Sequence, residues 1–139
     1  MKSTFRILLI DDDVMSNLIN ERLFQISGYN LIVDSFVDAK EAIRFLKNSI
    51  KFEEENFPDI IFADINMNGI SGWEFVDEIS KFPDTYLSKC TLYMLTSSID
   101  QEDIKKSETY SIIKDIISKP LTEEIVVKQI SQLIFKIKI

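Results

Sequence analysis

The sequence predicts an α/β protein with a five-stranded parallel sheet and helices on both faces. Three observations carry this: five short apolar runs each end in polar residues, segments of helical period separate them, and no repeat, low-complexity stretch or interdomain linker breaks the alternation. Strand and helix in strict alternation imply a parallel sheet, because each crossover needs a covering helix. The clearest run, Ile60 to Ala63, is continuous rather than alternating, which marks a strand covered on both faces.

Arg6 to Ile10 gives the first strand, and its apolar run stops at Asp11, Asp12 and Asp13. A helix from about Val14 to Ile26 follows, with Asp13 as N-cap, Leu18, Ile19, Leu23 and Ile26 as the expected core stripe, and Gly28 closing it. Leu31 to Phe36 reads as a second strand, placed near the sheet edge by its internal Asp34. Asp38 and Glu41 have the spacing of a capping box, ahead of a helix carrying Ala39, Ala42, Ile43 and Leu46 to about Ser49. Lys51 to Asn56 is a charged connector whose three glutamates read as a solvated loop. After Pro58 and Asp59 comes the Ile60–Ala63 strand with Asp64 at its end. Ser71 caps a third helix bearing Trp73, Val76, Ile79 and Phe82, ended by Pro83, with Trp73 expected as a core anchor. Thr91 to Leu95 is a fourth strand, finishing at Thr96, Ser97 and Ser98. Asp100 to Tyr110 is helical but polar, with Ile104 its main anchor, and is expected to be the least firmly held helix. Ile112 to Ser118 contains a short fifth strand, placed at Ile116 to Ser118 and broken by Lys119 and Pro120. Thr122 then caps a last helix with Glu123 and Glu124 in its first turn, Lys136 and Lys138 near its end, and an apolar stripe of Val126, Val127, Ile130, Leu133, Ile134 and Ile137.

Composition narrows the function. A chain of 139 residues fits one domain, 1–139, with 45% hydrophobic and 28% charged residues, the balance of a soluble globular protein. A net charge of −7 argues against general nucleic-acid binding, which requires a basic face. The short apolar run before the first aspartates is neither a signal peptide nor a membrane span, so the cytoplasm is the expected location. Cys90 is the sole cysteine, which rules out an intramolecular disulfide and reads as a small buried hydrophobe. There is no histidine, which removes His-based triads and His metal sites and leaves no phosphohistidine on this chain.

In a parallel sheet every strand's carboxyl end lies on one edge, where ligands bind. Here those ends carry Asp11 and Asp12, Asp64, Thr96 with Ser97, and Lys119. Each has an ordinary explanation when read alone, as a cap, a turn former or a surface lysine; their joint placement is the signal. Crowded carboxylates raise one another's pKa, and a hard divalent cation relieves the conflict. Mg²⁺ takes oxygen ligands and only one or two carboxylates, and the absence of histidine disfavours zinc. A carboxylate nucleophile in such company suits phosphoryl transfer through an aspartyl phosphate, where alignment and charge neutralisation matter most.

These residues resemble the receiver domain of two-component response regulators over nearly the whole chain. The matching motifs are ILLIDDD, PDIIFADINMNGISGWEF, LYMLTSS and ISKPL, in that order and at those intervals. The resemblance, not the strand pattern, implies a flavodoxin-like sheet of order 2-1-3-4-5. It implies Asp64 as phosphoacceptor, Asp12 and Asp64 binding Mg²⁺ by carboxylate, Asp11 acting through water, and Asn66 offering its backbone carbonyl. Thr96 would hydrogen-bond a phosphoryl oxygen, Lys119 would pair with its charge, and Lys119-Pro120 would be cis. The implied donor is a phosphohistidine on a sensor histidine kinase or phosphotransfer protein, and the implied output is altered affinity for a downstream protein through the fourth helix, fifth strand and last helix. Such a chain is not a conventional enzyme, but is expected to catalyse its own phosphorylation and slow autodephosphorylation at Asp64.

Some positions depart from the family pattern. Asn68 stands where proline is usual, Ile113, Lys114 and Asp115 replace a small glycine-containing turn, and Ile116 replaces an aromatic that turns inward on phosphorylation. A β-branched residue has no comparable two-position ring. Phosphorylation is therefore better supported than the usual route of output, and a receiver-like docking module indifferent to phosphate is the alternative. An aspartate-nucleophile phosphatase of the haloacid dehalogenase type needs a second Asp two residues after the first, where this chain has Asn66.

Overall fold

The computed structural model describes residues 4–67 and 69–138, with side chains to residue 134. Its strands are β1 (Phe5–Ile10), β2 (Leu31–Phe36), β3 (Ile60–Asp64), β4 (Thr91–Thr96) and β5 (Ile113–Ser118). They form one sheet of order β2-β1-β3-β4-β5, and every neighbouring pair is parallel. The helices are α1 (Val14–Gln25), α2 (Ala39–Phe52), α3 (Gly72–Ile79), α4 (Asp84–Leu87), α5 (Gln101–Ser107) and α6 (Glu123–Lys138). The expected order and layering are therefore present.

The period of two along each strand divides the core. Leu8, Ile10, Ile61, Ala63, Leu92, Met94 and Ile116 point to the face covered by α2 and α3. Ile7, Leu9, Ile60, Phe62, Tyr93, Leu95 and Ile117 point to the opposite face, against Phe24 of α1 and Val126 and Ile130 of α6. Because β3 lies centrally, all five of its residues are buried, Asp64 included. Edge placement of β2 leaves Asp34 half-exposed, 3.1 Å from the Arg6 guanidinium. At the strand-start edge, buried Asp59 accepts the Arg6 amide and ties β1 to β3 and β4.

Several sequence expectations are corrected. Most of the α1 stripe is turned outward: Leu18, Ile19 and Ile26 are exposed and only Leu23 packs against the core, while Asn17, Asn20 and Phe24 are buried. Apolar spacing locates a stripe but not the side that meets the sheet. The Asp38 cap is present, but its carboxylate accepts from the Lys40 amide, one residue short of the Glu41 position a capping box uses. Helix α2 continues through Lys51 to Phe52, and Glu54–Asn56 form a 3-10 turn, so most of the expected connector is ordered as helix. Helix α3 stops at Ile79, short of Phe82, and Pro83 instead caps the unexpected short helix α4. Strand β5 starts at Ile113 rather than Ile116, with a register shift opposite Leu92 and Tyr93. As an edge strand it can expose Lys114 and Asp115, which made its first half look like loop.

The polar helix α5 buries no residue, as expected, and Ile104 packs against the core edge. Its other tethers are the Trp73–Tyr110 ring stack, Lys106 over the Trp73 ring, and a 2.5 Å hydrogen bond from the Tyr110 hydroxyl to Asp77. Thr122 caps α6 by accepting the Ile125 amide. The side chains of Lys136, Ile137 and Lys138, and the whole of Asn68, lie outside the described residues. Cys90 is buried, and desolvation pushes its thiol well above the ordinary range, as an inert packing residue requires. Among the described residues no helix is long and apolar enough to cross a membrane.

Candidate functional site

Ladder bonds continue just past the ends of the strands. The Asp11 amide donates to Phe36, Ile65 to Leu95, and Lys119 to Thr96. Those bonds bring the residues that end β1, β3, β4 and β5 to one edge. Asp11, Asp12 and Asp64 offer carboxylate oxygens that all lie within 4.8 Å of one another. Lys119 completes the group, its Nζ lying 2.6 Å from Asp11 Oδ2 and 3.1 Å from Asp64 Oδ2. The Lys119-Pro120 peptide that delivers it is cis.

Asp11 is held at both carboxylate oxygens, since Oδ1 accepts the Asp13 amide and Oδ2 meets Lys119. Asp64 Oδ1 accepts the amide of Asn66, an exposed residue in the loop after β3. Thr96 is buried at the end of β4, one residue beyond Leu95, which pairs with Asp64. Its hydroxyl donates to the Ser98 carbonyl and accepts the Ser98 amide, so it bridges into the loop before α5.

Burial raises the pKa of Asp64; the Lys119 hydrogen bond opposes this and the Asp11 charge reinforces it, leaving the carboxyl above its usual range. For Lys119 burial works against the charge, but hydrogen bonds to Asp11 and Asp64 prevail and hold the ammonium above its ordinary value. Among the described residues Lys119 meets two of the three clustered acids, Asp11 and Asp64. The donors are oxygens without thiolate or imidazole, and their clustering fits Mg²⁺, a hard ion that retains open positions for water or phosphate. Chemically the arrangement offers a carboxylate nucleophile beside a fixed ammonium at a solvent-facing rim. A cleft of about 300 Å³, lined in part by Ile60, Thr91, Lys114 and Gln129, opens where β3 and β4 begin and brings no acid cluster together.

Sequence reasoning overlooked two neighbours. Gly72 packs the start of α3 so closely on β3 that a Cβ would lie 2.3 Å from the Asp64 carbonyl oxygen. Asn17, read as an unremarked helix position, is buried against the ends of β1 and β2. A glycine directly after a serine cap, and an asparagine within an apolar helical pattern, were the available signals.

A family model described as the response regulator receiver domain matches residues 7–131. A two-component response regulator from Cytophaga hutchinsonii is similar at 29% identity and a TM-score of 0.84, over 96% of this chain and 98% of its own. A response regulator receiver protein from Dyadobacter fermentans gives 25%, 0.78, 93% and 97% respectively. In a CheX–CheY–BeF3–Mg²⁺ complex from Borrelia burgdorferi, a chain shares the fold at 22% identity and a TM-score of 0.70, over 97% of this chain and 90% of its own. No curated protein matches.

Proposed function

The chain belongs to the response regulator receiver domain family, and on that premise we propose that it accepts a phosphoryl group on Asp64 with Mg²⁺ at the acid cluster. The donor is a phosphohistidine on a separate sensor histidine kinase or phosphotransfer protein. We read residues 1–139 as one receiver domain acting in the cytoplasm. The observation that carries the reading is the Lys119 ammonium set between Asp11 and Asp64, with Asp12 in the same oxygen cluster.

Asp12 and Asp64 would hold Mg²⁺ by carboxylate, Asp11 through water and Asn66 by its backbone carbonyl. When bound, the ion supplies charge neutralisation for the acids and the phosphoryl oxygens. An Asp64 oxygen forms the bond to phosphorus as the bond to the donor's imidazole nitrogen breaks, and the imidazole, carrying a proton on its other nitrogen, leaves neutral. Lys119 pairs with phosphoryl charge throughout. Slow hydrolysis of the acyl phosphate returns Asp64 to its starting state.

Two features support a signalling role. Thr96 must release the Ser98 carbonyl to donate to a phosphoryl oxygen, which loosens the loop leading into the lightly anchored α5. Altered affinity for a downstream protein would follow through α5, β5 and α6. The exposed apolar face of α1, with Val14, Met15, Leu18 and Ile19 each more than half exposed, starts next to the acid cluster. Beside it lies a small cleft of about 80 Å³ that joins Ile19 and Asn20 to Lys119 and Pro120. We assign donor docking to this surface.

Acetyl phosphate with Mg²⁺ is the test. The intact mass should rise by one phosphoryl group in the wild type and stay unchanged in Asp64→Asn; equal labelling of both proteins would remove Asp64 as the acceptor.

A further inference from the structure

The first turn of α1 is built against the usual rule of burial. Val14, Met15, Leu18 and Ile19 face outward, while Asn17, between them in sequence, is only 5% exposed. A buried amide stabilises a fold only through the hydrogen bonds it makes. Asn17 Nδ2 donates to the Asp11 carbonyl at 3.0 Å and to the Phe36 carbonyl at 3.1 Å. Both neighbours are acceptors, so the amide nitrogen must face them, which fixes the orientation of the side chain. Its Oδ1 is buried without a partner among the described residues. The asparagine therefore bears an unpaired acceptor in order to present two donors at one point.

That point controls the acids. The Asp11 carbonyl belongs to the peptide joining Asp11 to Asp12, and the Phe36 carbonyl also accepts the Asp11 amide. Asn17 thus binds the end of β2 to the Asp11–Asp12 peptide. Asp11 is also fixed at its carboxylate by the Asp13 amide and Lys119, and Asp12 begins on the far side of the same peptide. We propose that Asn17 is the positioning residue of the acid cluster: by clamping the Asp11–Asp12 peptide it sets the divalent-cation affinity of the site. This rests on the metal-assisted reading above. Groups that orient ligands without touching the metal commonly change metal affinity by roughly 10-fold to 100-fold when removed.

The test is titration of metal-free protein with Mg²⁺ alone by calorimetry, alongside thermal unfolding without metal. Asn17→Ala should weaken Mg²⁺ binding by about 10-fold or more. Phe24→Leu, a change in a fully buried residue of the last turn of the same helix, should lower the melting temperature while leaving Mg²⁺ affinity at the wild-type value. Equal Mg²⁺ affinity in Asn17→Ala and wild type overturns the proposal and leaves the metal reading intact, as does a matching loss of affinity in Phe24→Leu. Absence of Mg²⁺ binding to the wild type overturns both together. If Asn17→Ala does not fold, Asn17→Ser, which keeps one donor, is titrated instead under the same criteria and is expected to lose less affinity.

Discussion

Replacing Gly72 with alanine tests whether the acid site depends on how closely α3 sits on β3. The backbone of Gly72 has no left-handed angle, so the demand here is for space. A Cβ would lie 2.3 Å from the Asp64 carbonyl oxygen, 2.8 Å from Ile65 Cα and 2.9 Å from Met94 Cε. The methionine terminus can swing away, but the other two atoms are backbone. Bringing those contacts to the ordinary separation of about 3.5 Å means moving the start of α3 by roughly 1 Å. That movement stretches the 2.9 Å bond from the Gly72 amide to the Ile65 carbonyl and disturbs the loop after Asp64. Alanine in place of glycine favours a helix by up to about 1 kcal/mol, whereas overpacking a tight interior costs about 1–3 kcal/mol. Two backbone clashes place this case towards the upper part of that range, so Gly72→Ala should destabilise by about 1–2 kcal/mol net. For a chain of this size the melting temperature should fall by roughly 3–8 °C. Thermal unfolding without metal measures this, and Mg²⁺ titration should show weaker binding because the Asp64 backbone has shifted. A Gly72→Ala protein as stable as the wild type, or more so, would show that the start of α3 shifts away from β3 without cost.

Three further outcomes follow from the same geometry. The raised Asp64 pKa means that, between the unfolded value of 3.8 and the higher folded value, the native state holds a proton the unfolded chain has lost. Metal-free stability should therefore fall as pH rises through that window, and Asp64→Asn should melt above wild type at neutral pH; a lower melting temperature would contradict this. On α1, Leu18→Ser and Ile19→Ser remove exposed apolar groups and should change stability by no more than about 0.5 kcal/mol, while slowing phosphorylation by a histidine-kinase donor and sparing labelling by acetyl phosphate. Unchanged transfer from the kinase would place the donor elsewhere. Tyr110→Ala removes the stack on Trp73 and the bond to Asp77, so it should cost about 1–2 kcal/mol and speed amide exchange across α5, with exchange in α2 unaffected.

The parallel α/β class and the shared edge of the acid site could be read from punctuation along the chain, whereas the strand order came only from the family resemblance. Apolar runs give way to polar residues at Asp11, Asp64, Thr96 and the Ser118-Lys119 pair, and in a parallel sheet each stop falls on the same edge. No distance is needed to infer that. Gly72 and Asn17 were missed because their roles are relations between elements: one is defined by the carbonyl of Asp64, the other by the ends of β1 and β2. The first half of β5 was missed because an edge strand can expose Lys114 and Asp115, erasing the hydrophobic signal that marks central strands.

The inverted face of α1 shows why periodicity alone could not orient it. Val14, Met15, Leu18 and Ile19 form a real stripe at helical spacing, yet the sheet meets Asn17, Asn20 and Phe24. Burying one side chain such as Leu or Ile is worth about 1.5–3 kcal/mol, so leaving four apolar residues largely exposed forgoes a substantial part of a typical folding free energy. The side facing the sheet carries the fully buried Phe24 together with Asn17, whose amide donates to the carbonyls of Asp11 and Phe36. Holding that amide against the strand ends turns the apolar stripe outward, and the stripe then borders the rim at which a phosphoryl donor would have to arrive. On the proposed reading, one helix orientation would meet two needs, alignment of the acids and an apolar landing surface beside them.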